Sequence, residues 1–407
     1  MLFQSVIGQK ETKSQLAHMI QHNRLSHALL FLGKEGSGAL PLAIAFANYL
    51  CLPKNPTQPK KQEASLFGDE PAAESTAISL PTTVAAIDEW MQQQPAWSKL
   101  RDMVHPDIHF SYPVIPRKSG DKPISTDYIK EWREFISTNR YGNVYDWLQF
   151  IGAENKQGNI TAHECSDIIR KMSLKSFESE YKILIMWMPE LLGKEGNKLL
   201  KLIEEPPANT LFILVAENDS LILPTILSRT QLIKIPQLSA LDIESALELR
   251  NGISMQKAQQ VAAISSGNYH EALQQLQHAE DDWEVLLRDW LNSIVKTGPA
   301  AQVKWIEDIS KIGREKQKQF LKYFVHILEL AVRLRVIPVE SEENRTDVDF
   351  ALRFNKLCGI SQQEAIVNEL DQAAYYIERN ANAKILFHAL TIKLYHIISN
   401  KSVILMQ

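Results

Sequence analysis

The stretch HALLFLGKEGSGALPLAIAFANYL, residues 27–50, limits the possible folds more than any other part of the chain. ALLFLG reads as a short buried strand, and the glycines at 33, 36 and 38 form a loop. Leu40, Ala43, Ile44 and Ala47 then recur at helical spacing, with Pro41 tolerable in a first turn. Strand, glycine loop and helix form the setting in which backbone amides cradle phosphate groups. The chemistry is nevertheless missing, because Ala39 and Leu40 stand where a phosphate-binding Lys and a metal-binding Ser or Thr are needed. Without an ammonium group at 39 the phosphates lose a point charge, and without a hydroxyl at 40 a Mg²⁺ ion loses its protein ligand. Taken alone, Gly33, Gly36 and Gly38 fit either a vestigial phosphate loop or a plain glycine turn. Lys34 is basic but lies too early in the loop to replace the missing ammonium.

A second segment tests the same idea. YKILIMWM, 181–188, reads as another buried strand, and an ATPase of this architecture ends that strand in acidic residues that hold Mg²⁺ and polarise water. Here Trp187 and Met188 occupy those positions, and Glu190 beyond them reads as a helix-start carboxylate. Further strands are expected at HPDIHFSYPVI and TLFILVAEN. Helices are expected over 6–27, 127–140, 159–173 and 197–207, the last halted by Pro206 and Pro207. This alternation through about residue 235 predicts an α/β domain with a mostly parallel sheet flanked by helices. Residues 239–279 are helical in pattern, and from about 281 the chain reads as long helices, one of them from Glu378 onward.

The organisation expected is an α/β domain over 1–237 with an insertion at about 52–104, a small helical domain over 238–279, and an all-α domain over 280–407. Residues 53–85, rich in Pro, Ser, Thr and charge without a sustained period, read as exposed. With 44 basic and 48 acidic residues the net charge is −4, which excludes a globally basic nucleic-acid binder but not a basic face. The start, MLFQSVIGQKETKSQ, lacks a basic region leading into an apolar run, and no stretch approaches about 18 apolar residues, so a cytoplasmic protein without a membrane segment is expected. Cys51, Cys165 and Cys358 read as buried apolar thiols, and no two of the eleven His residues read as a ligand pair on one helix face. Trp132, Trp147, Trp283, Trp290 and Trp305 read as packing residues, and Lys201 as part of a solvated face.

Together HALLFLGKEGSGALPLAIAFANYL, NKLLKLIEEPPANTLFILVAEN and LILPTILSRTQLIKIP resemble the AAA+ subunits of bacterial DNA polymerase III clamp loaders, the delta-prime subunits most closely. LLKLIEEPP and LPTILSRTQ are more specific in this respect than the glycine loop. The resemblance implies a ring joined through helical collars, with motor (gamma/tau) and delta subunits as neighbours, that opens a sliding clamp and closes it on primed DNA. It also implies that Arg229, beside Ser228, reaches in trans to ATP held by the neighbouring subunit. Thr230 departs from the family's Ser-Arg-Cys pattern, and His270 stands where active members carry a sensor arginine. A guanidinium suits the task, since it is planar, permanently charged and matched to phosphoryl oxygens. The four-Cys zinc module usual in the family is not expected, since only Cys51 remains in that region. The expectation is therefore a subunit that hydrolyses no ATP of its own and holds no cofactor. Two other readings stay open: an AAA+ DNA motor with its own ATPase, and an AAA+-derived interaction scaffold outside replication.

Overall fold

The computed structural model describes residues 1–22, 24–53, 81, 83–118, 120–153, 157–277, 283–335, 345–378 and 381–399. The chain separates into two compact units, Met1–Gln275 and Leu276–Gln407. The first contains five strands: β1 (Ala28–Leu32), β2 (Ile108–Ser111), β3 (Lys182–Trp187), β4 (Thr210–Ala216) and β5 (Gln231–Lys234). They form one sheet in the order β2-β3-β4-β1-β5, and every pairing is parallel. The α/β class expected from the alternating pattern is therefore the fold observed. Most of the exposed segment expected at 53–85 lies outside the described residues.

Helices α1 (Lys10–Gln21), α2 (Ala39–Cys51), α3 (Val84–Gln92), α4 (Trp97–Arg101), α5 (Ile129–Thr138), α6 (Val144–Phe150), α7 (Ala162–Met172), α8 (Leu200–Glu204) and α9 (Pro224–Leu227) surround the sheet. Side chains alternate across it because a strand has a period of two. Leu29, Phe31, Ile183, Ile185, Ile213 and Val215 face one core, completed by α2, by Leu16 and Ile20 of α1 and by Trp132 and Phe135 of α5. Leu30, Leu184, Met186, Phe212 and Leu214 face the other, closed by Ile168 and Met172 of α7 and by Leu202 and Ile203 of α8. All thirteen residues of α2 are buried, the expected fate of a helix with no polar face. Two predicted helices are shorter than expected. Gly8 and Gln9 are left-handed and delay α1 to Lys10, while residues 189–199 run as a tighter 3₁₀ stretch before α8.

Helices α10 (Ala240–Asn251), α11 (Met255–Ile264) and α12 (Tyr269–Gln277) follow the sheet, and the first unit extends through most of them. The second unit holds α13 (Trp283–Asn292), α14 (Pro299–Ile309), α15 (Arg314–Arg333), α16 (Arg345–Leu357), α17 (Ile360–Glu378) and α18 (Ala383–Ser399). The helix predicted from Glu378 onward is broken: α17 stops at Glu378, and Asn382 caps α18 by accepting from the Ile385 amide at 3.3 Å. Trp290 and Trp305 stack with centroids 4.6 Å apart beside Phe320 and Phe387. With Trp132 and Trp147 fully buried and Trp283 packed against the core of the second unit, the tryptophans are packing residues, as read from their helical positions.

Candidate functional site

Parallel strands give the sheet two unlike ends. The glycine loop leaves the carboxyl end of β1, where ligands collect in open α/β sheets. Gly36 and Gly38 have φ of 72° and 87°, and Gly38 is the residue from which α2 starts, so the backbone of a phosphate loop is retained. The space above it is filled by the chain itself. A cavity lined by the loop, Arg140, Tyr141, Trp187 and Glu217 leaves about 30 Å³ to a water-sized sphere, against the roughly 300–1,000 Å³ of pockets that hold small ligands. A Cβ on Gly36 would come within 1.9 Å of Asn268 Oδ1, so the segment before α12 lies directly on the loop.

Several bonds hold that closure. Asn268 Nδ2 and Asn143 Nδ2 donate to the two oxygens of Glu35 at 3.2 and 3.3 Å, and the Tyr269 amide donates to the Gly36 carbonyl at 3.4 Å. Gln9 Nε2 bonds the Ser37 carbonyl at 3.0 Å. Tyr141 accepts from the Ile7 amide at 2.7 Å and meets Tyr269 edge to face at 5.0 Å, and burial pushes its phenol up to about 12. The cations lining the cavity, Lys34 and Arg140, are matched by Glu35 and Glu217. His270, at the sensor position, is buried, with Nδ1 3.4 Å from Asp146 and Nε2 3.9 Å from Glu35.

At the end of β3, Trp187 is buried with its ring 5.3 Å from Trp132 and 6.3 Å from Phe135, and Met188 bonds through its amide to the Val215 carbonyl. Neither side chain offers the oxygen donor that Mg²⁺ requires or a base to polarise water. Glu190 starts the 3₁₀ stretch and accepts from the Glu217 and Asn218 amides at 2.7 and 2.9 Å; burial raises its carboxyl above the usual range. It therefore fixes the turn after β4.

The opposite end is open. Because β1, β4 and β5 are parallel, the residues just before them gather at one edge. Ser26, His27, Glu204, Ser228, Arg229, Thr230 and Gln231 line a groove of about 660 Å³ there. Arg229 Nε donates to Glu204 Oε1 at 2.5 Å, Nη2 pairs with the same carboxylate, and Nη1 donates to the Thr225 carbonyl at 2.7 Å and to Ser228 Oγ at 3.1 Å. Arg229 stays one-third exposed. Gln231 pairs with Leu29 and the loop begins at Gly33, so four residues of strand, roughly 13 Å at about 3.3 Å each, separate the guanidinium's edge from its own glycine loop.

Residues 67–239 match the family model described as "DNA polymerase III, delta subunit". Over those residues, less than half of the chain, the protein is similar to that family. It is also 31% identical over 133 residues to an uncharacterized protein, the MG007 homolog of Mycoplasma pneumoniae. That match covers 32% of this chain and 49% of the relative, so the chain spans about half of the relative's length. Among solved structures it is similar to a DNA polymerase III gamma subunit-related protein of Thermotoga maritima, at 13% identity over 95% of this chain and 99% of the other, with a TM-score of 0.36. The Bacillus subtilis clamp loader delta protein is 13% identical over 74% and 98% (TM-score 0.25), and a RuvB variant of Thermotoga maritima is 12% identical over 82% and 79% (TM-score 0.35).

The structure places the sequence-predicted Gly33, Gly36 and Gly38 in one loop and Ser228 and Arg229 in one groove, at opposite ends of β1. It missed Glu204, whose only signal was its place in the specific LLKLIEEPP motif. It also missed Asn268 and Tyr141, which fill the loop from distant segments. His18, in the last turn of α1, and His22, at its C-cap, stack their rings at 3.7 Å, because an i, i+4 spacing brings them together. No group of three or more His, Cys, Asp or Glu suited to a metal occurs among the described residues. The three cysteines are free and buried, with burial pushing the thiols up to about 12 at Cys51 and about 11 at Cys165 and Cys358. Lys201 is exposed. Among the described residues no helix is long and apolar enough to cross a membrane.

Proposed function

We propose that this chain is the delta-prime-type member of a bacterial DNA polymerase III clamp loader: a cytoplasmic ring subunit that hydrolyses no ATP and completes a neighbour's active site with Arg229. The observation that carries this reading is the contrast between the two ends of β1. The loop that would bind nucleotide is filled by Tyr141, Trp187 and Asn268, while an arginine stands in an open groove on the other edge. Four residues of strand away from its own loop, that arginine is placed to serve a different molecule's phosphates. Ser228 steadies it, and Gly33, Gly36 and Gly38 are the shape of a site without its function. On this reading the chain holds neither nucleotide nor zinc.

The partners proposed are the motor (gamma/tau) and delta subunits, and through them the sliding clamp and primed DNA. Residues 1–237 form the ATPase-like domain, 238–279 the lid and 280–407 the collar. Exposed Ile385, Ile392 and Tyr395, recurring along α18, suit a collar helix that packs against a neighbour. The test is DNA- and clamp-stimulated ATP hydrolysis by a reconstituted loader containing either the native chain or Arg229→Ala. Lost turnover with assembly intact is expected, and unchanged turnover refutes the trans arginine. Tight, magnesium-dependent ATP binding by the isolated chain would instead favour a motor with its own ATPase.

A further inference from the structure

The most specific sequence motifs of the first unit, LLKLIEEPP and LPTILSRTQ, meet in the structure at one ion pair. Pro206 and Pro207 stop α8 at Glu204 just before β4 begins, and α9 returns the chain to the same edge so that β5 can run parallel to β4. Glu204 and Arg229, 25 residues apart in sequence, therefore meet where both strands start.

We infer that Glu204 is the positioning residue for Arg229, an inference that rests on the trans role proposed above. A guanidinium has five N–H groups. Nε and one Nη2 hydrogen are held by Glu204 Oε1, and the two Nη1 hydrogens by the Thr225 carbonyl and Ser228 Oγ. One Nη2 hydrogen is left uncommitted among the described residues, and the groove lies open beside it. A long side chain with high rotamer entropy is thus fixed before a neighbour's phosphate arrives, so this ordering is complete before the neighbour's reaction begins. The pair is too exposed, at 33% and 43%, to matter much for folding, which separates positioning from a structural role.

The experiment uses the reconstituted loader with ATP, primed DNA and clamp, and reads kcat and KM for ATP together with co-elution and the melting midpoint of the chain. Glu204→Ala is expected to lower kcat by about tenfold, within the roughly hundredfold that misplacing a reacting group can cost, with KM, assembly and melting unchanged. Glu204→Gln still offers Oε1 to Nε–H and is expected to restore kcat to within about threefold of wild type, since a neutral acceptor is about half as strong. Equal turnover for wild type and Glu204→Ala, beside a collapse for Arg229→Ala, overturns the positioning role and leaves the trans arginine standing. A rise in turnover with Glu204→Ala makes Glu204 a restraint and also overturns it. If Arg229→Ala too is silent, the functional reading beneath it falls.

Discussion

The two ends of β1 share one strand and have opposite characters. At the carboxyl end the glycine loop keeps its left-handed turns, yet the cavity above it is too small for a nucleotide and is bounded by buried aromatic rings. At the amino end a groove about twenty times larger holds an arginine tied to a carboxylate, a carbonyl and a hydroxyl. The contrast teaches that the two ends of one strand can be packed independently, one filled by side chains and the other left open, on a single shared scaffold. The glycine turns, α2 and the strand order persist because they are core architecture: α2 is buried along its whole length, and its start is set by Gly38.

Breaking the open end should have the largest effect. Arg229→Ala is expected to lower turnover at the adjacent site by about 10³, the lower range for such arginines, as read by single-turnover ATP hydrolysis in the assembled loader. The closed end should respond in stability instead. Gly36→Ala places a methyl group 1.9 Å from Asn268 Oδ1 in a backbone with φ of 72°, so a loss of about 2–4 kcal/mol is expected in urea unfolding. Adding Asn268→Gly should recover the part due to the Asn268 side chain and leave the part due to φ and to the Tyr269 backbone nitrogen, 2.7 Å from the added methyl. If Gly36→Ala unfolds like wild type, the loop is not packed as described and the contrast between the ends weakens.

The amino edge is polar but not loose, and one buried carboxylate tests this. Asp107, just before β2, accepts the backbone amides of Phe177, Glu178 and Ser179 at 2.6, 2.7 and 2.8 Å. Burial pushes its carboxyl up, but the three bonds outweigh this and hold it below the usual range. A depressed carboxyl contributes stability that is full above the unfolded value, about 3.9, and is lost as pH falls through the folded one. Asp107→Asn is expected to cost about 1–3 kcal/mol at pH 7, with the gap from wild type narrowing in urea titrations below about pH 4. A gap that stays constant on acidification would mean that Asp107 is not ionised in the fold.

What could be read from the sequence divides along the same line. Apolar runs showed β1 to β4 and α2 but not β5, whose QLIK is mostly exposed, and residue type alone showed that Ala39, Leu40, Trp187 and Met188 offer neither a charge nor a Mg²⁺ ligand. Arg229 was singled out by its motif, and the structure places it in the open groove. The contacts that fill the loop were hidden because Asn268, Tyr141 and Glu35 come from segments far apart in the chain and meet only in three dimensions. Glu204 was visible as part of a motif, but its role depends on β4 and β5 starting at one edge, which a strand order supplies and a spacing does not. The left-handed Gln9 and the cap at Asn382 were missed for a local reason, since a helical apolar pattern continues past the backbone break that ends it.

The smallest expected effect is the most direct comparison of the two ends. Restoring the textual signature of a phosphate loop with Ala39→Lys and Leu40→Thr supplies the ammonium and the hydroxyl, yet no ATP binding is expected by calorimetry in the presence of Mg²⁺. The about 30 Å³ cavity cannot accept a triphosphate, and β3 still ends in Trp187 and Met188. Replacing Trp187 with Asp as well would add the metal ligand but remove a ring packed between Trp132 and Phe135, leaving a hole of aromatic size in the core at a cost of about 3–5 kcal/mol. The closed end is therefore held shut by packing as well as by lost chemistry. Magnesium-dependent binding by the double variant alone would show that two side chains were the whole difference between this loop and a working one.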